Sequence, residues 1–190
     1  MPKLRLATLA VAALASGGCA AERPAWADGA EIRSERPANA PPQDLRDIPA
    51  RILAAHNRER VSAGVPPLAW DPALAAAAAV YAPQLAQLPT LAHSPRATRR
   101  GQGENLWRGT GGAFGVDEIL GSWAAERRLF RPGTFPNVST SGEWSDVSHY
   151  TQMIWPTTTR VGCAFHRSGR WDYLVCRYAP AGNVAGQRVP

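Results

Sequence analysis

Two histidines and two glutamates stand apart in this sequence because of what surrounds them. His93 lies in Leu91-Ala92-His93-Ser94, and His149 opens His149-Tyr150-Thr151-Gln152-Met153-Ile154-Trp155. Between them come Glu104, in Gly103-Glu104-Asn105-Leu106, and Glu126, three residues after Trp123. Two neutral imidazoles and two carboxylates are the ingredients of a divalent-metal site. Imidazole nitrogen suits zinc, and a carboxylate either ligates the ion or acts as base to a bound water. The spacing is wholly non-local, with no His-Glu-x-x-His run to join the four. On residue types alone, two loop histidines and two solvated or salt-bridged glutamates remain the alternative. His56 reads instead as a hydrogen-bonded core residue on the apolar side of a helix, and His166 as a solvated side chain near a hairpin tip.

Other chemistries are thinner. Arg108-Gly109-Thr110-Gly111-Gly112-Ala113-Phe114-Gly115 looks superficially like a phosphate loop but lacks the lysine that would reach a phosphate, so it reads as a mobile loop. No Gly-x-Ser-x-Gly elbow exists, and no cysteine is expected to be free in the mature chain, so nucleophilic catalysis has no candidate. Asn137-Val138-Ser139 matches a glycosylation sequon by pattern.

The elements that must position these residues follow from periodicity. Ile48, Ile52, Leu53 and His56 recur at helical spacing, and that helix should end at Ala63-Gly64, before Pro66-Pro67. Asp71-Pro72 opens a second helix as N-cap and first helical residue, and Pro83 should kink or end it in its last turns. A turn-rich stretch runs from Pro89 to Gly115. A third helix covers Val116 to about Phe130, with Trp123 and Glu126 on one side and Glu126 at the rim. Residues 131–148 read as a loop. Strand-like runs at Tyr150–Trp155, Val161–Arg167 and Trp171–Tyr178 follow. Helices first and antiparallel strands afterwards indicate an α+β fold.

The last two runs flank Gly169-Arg170, which fits a two-residue type II′ hairpin with glycine first. That register sets Cys163 opposite Cys176 at a non-hydrogen-bonded position, close enough for a disulfide.

The chain has 190 residues, 45% hydrophobic and 19% charged, which suits one domain with short appendages. Its net charge of +6 comes from scattered arginines, with one small group at Arg96, Arg99 and Arg100, and Lys3 is the only lysine. No basic stripe or groove-reading motif appears, so nucleic acid is not an expected partner. Residues 1–20 have the form of a signal peptide: Lys3 and Arg5, then an apolar core from Leu6 to Ala15, then small residues around Cys19. Cys19 is a lipidation candidate, acylated as in a bacterial lipoprotein and tethering the protein to a membrane, or else discarded by cleavage after Ala20. Residues 21–44 read as a flexible linker and 45–190 as the domain. The leader points to export, secreted or periplasmic, and to a bacterial source, which is the ground for discounting the sequon.

Taken together, the segments resemble the CAP superfamily, also called SCP/TAPS, whose members include cysteine-rich secretory proteins, antigen 5 and plant pathogenesis-related protein 1. The resemblance rests on Ala55-His56-Asn57-Arg58, Pro67-Leu68-Ala69-Trp70-Asp71 and the segments around His93, Glu104, Trp123–Glu126 and His149. Val161-Gly162-Cys163-Ala164 and Cys176–Asn183 complete it. It implies a three-layer α-β-α sandwich with a small antiparallel sheet. It also implies a surface cleft lined by a tetrad of His93, Glu104, Glu126 and His149, with His93 and His149 as ligands to zinc or another divalent cation. A cysteine that eukaryotic relatives carry before the His-Tyr-Thr-Gln segment is missing here, and so is a cysteine-rich C-terminal module.

Three functions compete at this level. The first is a monomeric binding module whose cleft takes a lipid or sterol-like ligand, lined in part by Trp107, Phe114 and Trp144. The second is a cell-envelope structural or interaction protein. The third is a zinc-dependent hydrolase with Glu104 or Glu126 as base. Two neutral ligands make a poorer catalytic zinc site than three, so the balance falls against an enzyme.

Overall fold

In the computed structural model the described residues are 47–190. The leader, Cys19 and the linker lie outside them. Helix α1 (Ile48–Ser62) leads to a two-residue strand β1 (Ala69–Trp70) and helix α2 (Pro72–Leu85). Strand β2 (Gly103–Thr110), helix α3 (Val116–Ala125) and a short strand β3 (Gly133–Thr134) follow. Helix α4 (Ser148–Met153), the hairpin β4 (Arg160–Ser168) and β5 (Trp171–Ala179), and strand β6 (Arg188–Val189) complete the chain.

The main sheet runs β1-β4-β5-β2, and β3 pairs with β6 in a second, two-stranded sheet. It is mixed rather than purely antiparallel, because β1 lies parallel to β4. The hairpin is as expected: Ser168 pairs with Trp171 around Gly169-Arg170, and Gly169 has φ +55°. Cys163 faces Cys176 with Cα atoms 4.0 Å apart, and the two form a disulfide.

Side-chain alternation along β5 explains the three layers. Tyr173 and Val175 pack with Ala78, Tyr81, Ala82 and Leu85 of α2 on one face. Leu174, Cys176 and Tyr178 point the other way, into the core shared with α1, α3 and α4. Helix α2 begins as predicted, with the Asp71 carboxylate accepting from the N–H groups of Ala73 and Leu74. It runs two residues past Pro83 and ends in that turn. It also lies flush against β4: a Cβ on Gly162 would collide with the backbone of Asp71, Leu74 and Ala75.

Four expectations need correction. The stretch 103–110 is strand β2, so Arg108–Thr110 are held in the sheet and not in a mobile loop; beyond them Gly112 N–H donates to Asp172. Its two glycines and one asparagine hide a strand whose pairing partner lies some 70 residues away. The run opened by His149 is helix α4, not a strand. Tyr, Thr, Ile and Trp favour strands, and six residues are too few for periodicity to decide. The cap that decides it comes from elsewhere: Glu126 Oε2 accepts from the N–H groups of His149, at 2.9 Å, and Tyr150, at 3.0 Å. The third helix stops at Ala125 and tightens into a 3-10 turn over Glu126–Arg128. His166 is half-buried beside the Tyr173 ring rather than solvated.

Candidate functional site

Strand β2 is an edge strand, and its successive residues Glu104 and Asn105 point to opposite faces of the sheet. That alternation holds a histidine on each side of the edge. On one face Glu104 Oε1 accepts from His93 Nδ1 at 2.8 Å. On the other, Asn105 Nδ2 donates to the His149 carbonyl at 3.1 Å. The four predicted residues therefore meet as two carboxylate–imidazole pairs, since His149 Nδ1 lies 2.6 Å from Glu126 Oε1.

The pairs are built differently. His93 is exposed at the start of the segment that follows α2, while Glu104 beneath it is buried. Glu104 also accepts from Ser94 N–H at 2.9 Å and Ser94 Oγ at 2.9 Å, and lies 3.1 Å from Arg177 Nη2. Burial pushes its carboxyl pKa up, but the His93 hydrogen bond, the Arg177 charge and the Ser94 N–H outweigh that and hold it below the usual value. Glu126 is 2% exposed, behind His149 and not at the rim. His149 stacks parallel on Trp123, with ring centroids 5.5 Å apart. Trp123 and Glu126, three residues apart, thus fix the plane and the Nδ1 direction of one ring.

Chemically this is a presentation of imidazoles. A carboxylate accepts, so each Nδ1 carries a proton, and the ring in its neutral form has its lone pair on Nε2. The glutamates are the outer partners of the histidines and not ligands beside them. Glu104 takes four donors on its two oxygens, and Glu126 takes three. Among the described residues no group of three or more His, Cys, Asp or Glu side chains is arranged to hold a metal ion. The nitrogen donors that this cavity offers a divalent ion are the two imidazoles of His93 and His149.

His93, Glu104 and His149 line a single cavity of about 880 Å³. Its three walls come from 93–105, from 135–136 together with 144–152, and from the C-terminal strap 181–185. The strap is held by Gly182 N–H on Gln152 Oε1 at 3.0 Å and by Asn183, whose amide bonds the Ser148 carbonyl and the Thr151 hydroxyl. A Cβ on Gly182 would press on Gln152 and Trp155, so the strap sits flat on α4. Of the three aromatics expected in the cleft, Trp144 lines it. Trp107 is instead buried in the core and stacked edge-on against Phe114, because β2 turns that side chain inward.

Two important residues escaped the sequence reading. Asn105 donates to both the His149 carbonyl and the Tyr178 hydroxyl, and Tyr178 meets His56 Nε2 at 2.8 Å, so the cleft edge is hydrogen-bonded into the core. Arg60 is fully buried and donates to four carbonyls, those of Pro66, Met153, Trp155 and Thr158. A single arginine in a helical pattern carries no local sign of such a role.

Comparison with known proteins agrees with this architecture. The CAP family, described as the cysteine-rich secretory protein family, matches over residues 53–178. A pathogenesis-related protein of PR-1 type from Sambucus nigra is 37% identical over 147 residues, covering 75% of this chain and 82% of its own length. Pathogenesis-related protein 1B of Nicotiana tabacum is 38% identical, covering 71% and 76%. The crystal structure of NaASP2 with Zn2+ superposes with a TM-score of 0.63 at 25% identity, covering 82% of this chain and 89% of that one. Plant and fungal relatives stand at the top of the comparison, so the bacterial source inferred from the leader has no support there.

Proposed function

The chain belongs to the cysteine-rich secretory protein (CAP) family, and from that premise we propose that it is an exported binding module whose cleft holds a small ligand of lipid or sterol type. The observation that carries this reading is the cavity of about 880 Å³ together with what faces it. Phe135, Pro136, Trp144 and Val184 supply apolar surface, and the two imidazoles and Asn105 supply a few directed polar groups, the usual make-up of a small-molecule site. The absence of a free carboxylate at either histidine favours binding over hydrolysis. His93 and His149 are the residues that would hold a divalent cation, which would add a Lewis-acidic contact to a polar ligand group. The secretory character of the family and a relative described as a secreted protein support export.

The test is organic extraction of the purified full-length protein, made in two different hosts, followed by mass spectrometry. A stoichiometric apolar ligand is expected from wild type and should be lost from Ala185→Trp, which fills the cavity from an exposed position on the strap. Clean protein from both hosts would count against the proposal.

A further inference from the structure

The cavity is charged on one wall and apolar on another. Arg96, Arg99 and Arg100 all line it, on the segment that carries His93. Arg99 is anchored, with Nε on the Ser94 carbonyl at 3.0 Å and Nη1 near the Gln102 carbonyl at 3.3 Å. Arg96 and Arg100 are exposed, and neither guanidinium has a hydrogen bond or ion pair among the described residues. The lining contains one acidic residue, Glu104, and its charge is already matched by Arg177 and by the His93 N–H. The uncompensated charge of the cavity is therefore positive.

The apolar groups come from other segments. Five large hydrophobic side chains are exposed among the described residues, and two of them, Trp144 and Val184, face this cavity. Trp144 is 46% exposed and packs edge-on against Phe135, so its ring is braced at the cavity wall. A rigid aromatic left open on the same cavity as two unpaired guanidiniums is a match for a ligand with two unlike ends.

We infer that the ligand is an anionic amphiphile. Its phosphate, sulfate or carboxylate group sits at Arg96 and Arg100, where charge-assisted and bidentate hydrogen bonds suit such oxyanions. Its apolar chain or ring lies on Trp144 and Val184. This inference rests on the binding-module reading and narrows it from a lipid-type ligand to one that carries negative charge.

Calorimetric titration of the full-length protein with three probes below micellar concentration tests it: decyl phosphate, decanol and inorganic phosphate. Decyl phosphate should bind at least about tenfold tighter than either of the others and should weaken as salt is raised. In R96Q/R100Q, where no internal contact is lost, decyl phosphate should weaken by about tenfold while decanol is unchanged. Trp144→Ala should weaken decyl phosphate and decanol alike. Decanol binding as tightly as decyl phosphate, or an unaffected R96Q/R100Q, would overturn the inference and leave the binding module standing. Inorganic phosphate binding as tightly as decyl phosphate would reduce the site to an anion site and overturn the amphiphile. Failure of every probe on wild type would remove the inference and the lipid-type ligand together.

Discussion

His56 lies wholly inside the protein, with Nδ1 at 2.9 Å from the Ile52 carbonyl and Nε2 at 2.8 Å from the Tyr178 hydroxyl. The carbonyl can only accept, so Nδ1 carries the proton and the tyrosine donates to Nε2. Burial is the main reason its pKa is lowered to about 4, with the Arg60 charge adding to it against the Ile52 hydrogen bond. An unfolded chain takes up a proton as pH falls through about 6.5, while the folded histidine stays neutral down to about 4. The unfolded state then binds more protons, so stability falls with pH across that window, by roughly 3 kcal/mol at its lower end. Glu104, held below its usual value, adds a further loss once pH drops below the ordinary carboxylate range. Thermal melts at pH 7 and pH 4.5 should show a marked fall for wild type. His56→Gln should start less stable but fall less. An identical pH slope in both proteins would mean His56 is not the group responsible.

At the scale of elements, Arg60 ties α1 to the turn that follows α4. Four carbonyls from residues 66, 153, 155 and 158 converge on one guanidinium, with no carboxylate among them. Burial lowers its pKa to about 10, so it stays charged at neutral pH and donates along all these bonds. Arg60→Met preserves length and apolar bulk but orphans the carbonyls. Urea unfolding should show a loss of at least about 3 kcal/mol, and Arg60→Lys should restore only part of it. A loss under about 1 kcal/mol would show that the turn finds other donors. The hairpin, the disulfide and the start of α2 were legible in the sequence because local signals specify them: Gly169 before Arg170, Cys163 opposite Cys176, Asp71 before Pro72. Helix α4 and strand β2 were not, because their cap and their pairing partner lie far along the chain, at Glu126 and on β5. The four site residues were named from residue types and family resemblance. What could not be read was the division of labour, in which both carboxylates sit behind the imidazoles, since that depends on which oxygen meets which nitrogen in the folded chain.

For the molecule as a whole, the arrangement turns on one edge strand flanked by layers. Helix α2 covers one face of the sheet, and α1, α3 and α4 cover the other. Strand β2 reaches a histidine on each side, and the strap 181–185 closes the third wall of the cavity. Such a frame sets two imidazoles on one cavity and buries both acids behind them, and the proposed binding role rests on that arrangement. The measurement that tests this most directly is a calorimetric zinc titration of the full-length protein at neutral pH, beside His93→Ala/His149→Ala and Glu126→Gln. One zinc ion should bind wild type with modest affinity and be lost from the double histidine variant. In Glu126→Gln, which keeps an oxygen to accept from His149 and Tyr150, binding should weaken by about 10- to 100-fold without vanishing. Zinc bound equally well by the double histidine variant, or no zinc bound by wild type, would contradict the presentation of His93 and His149 as a shared site.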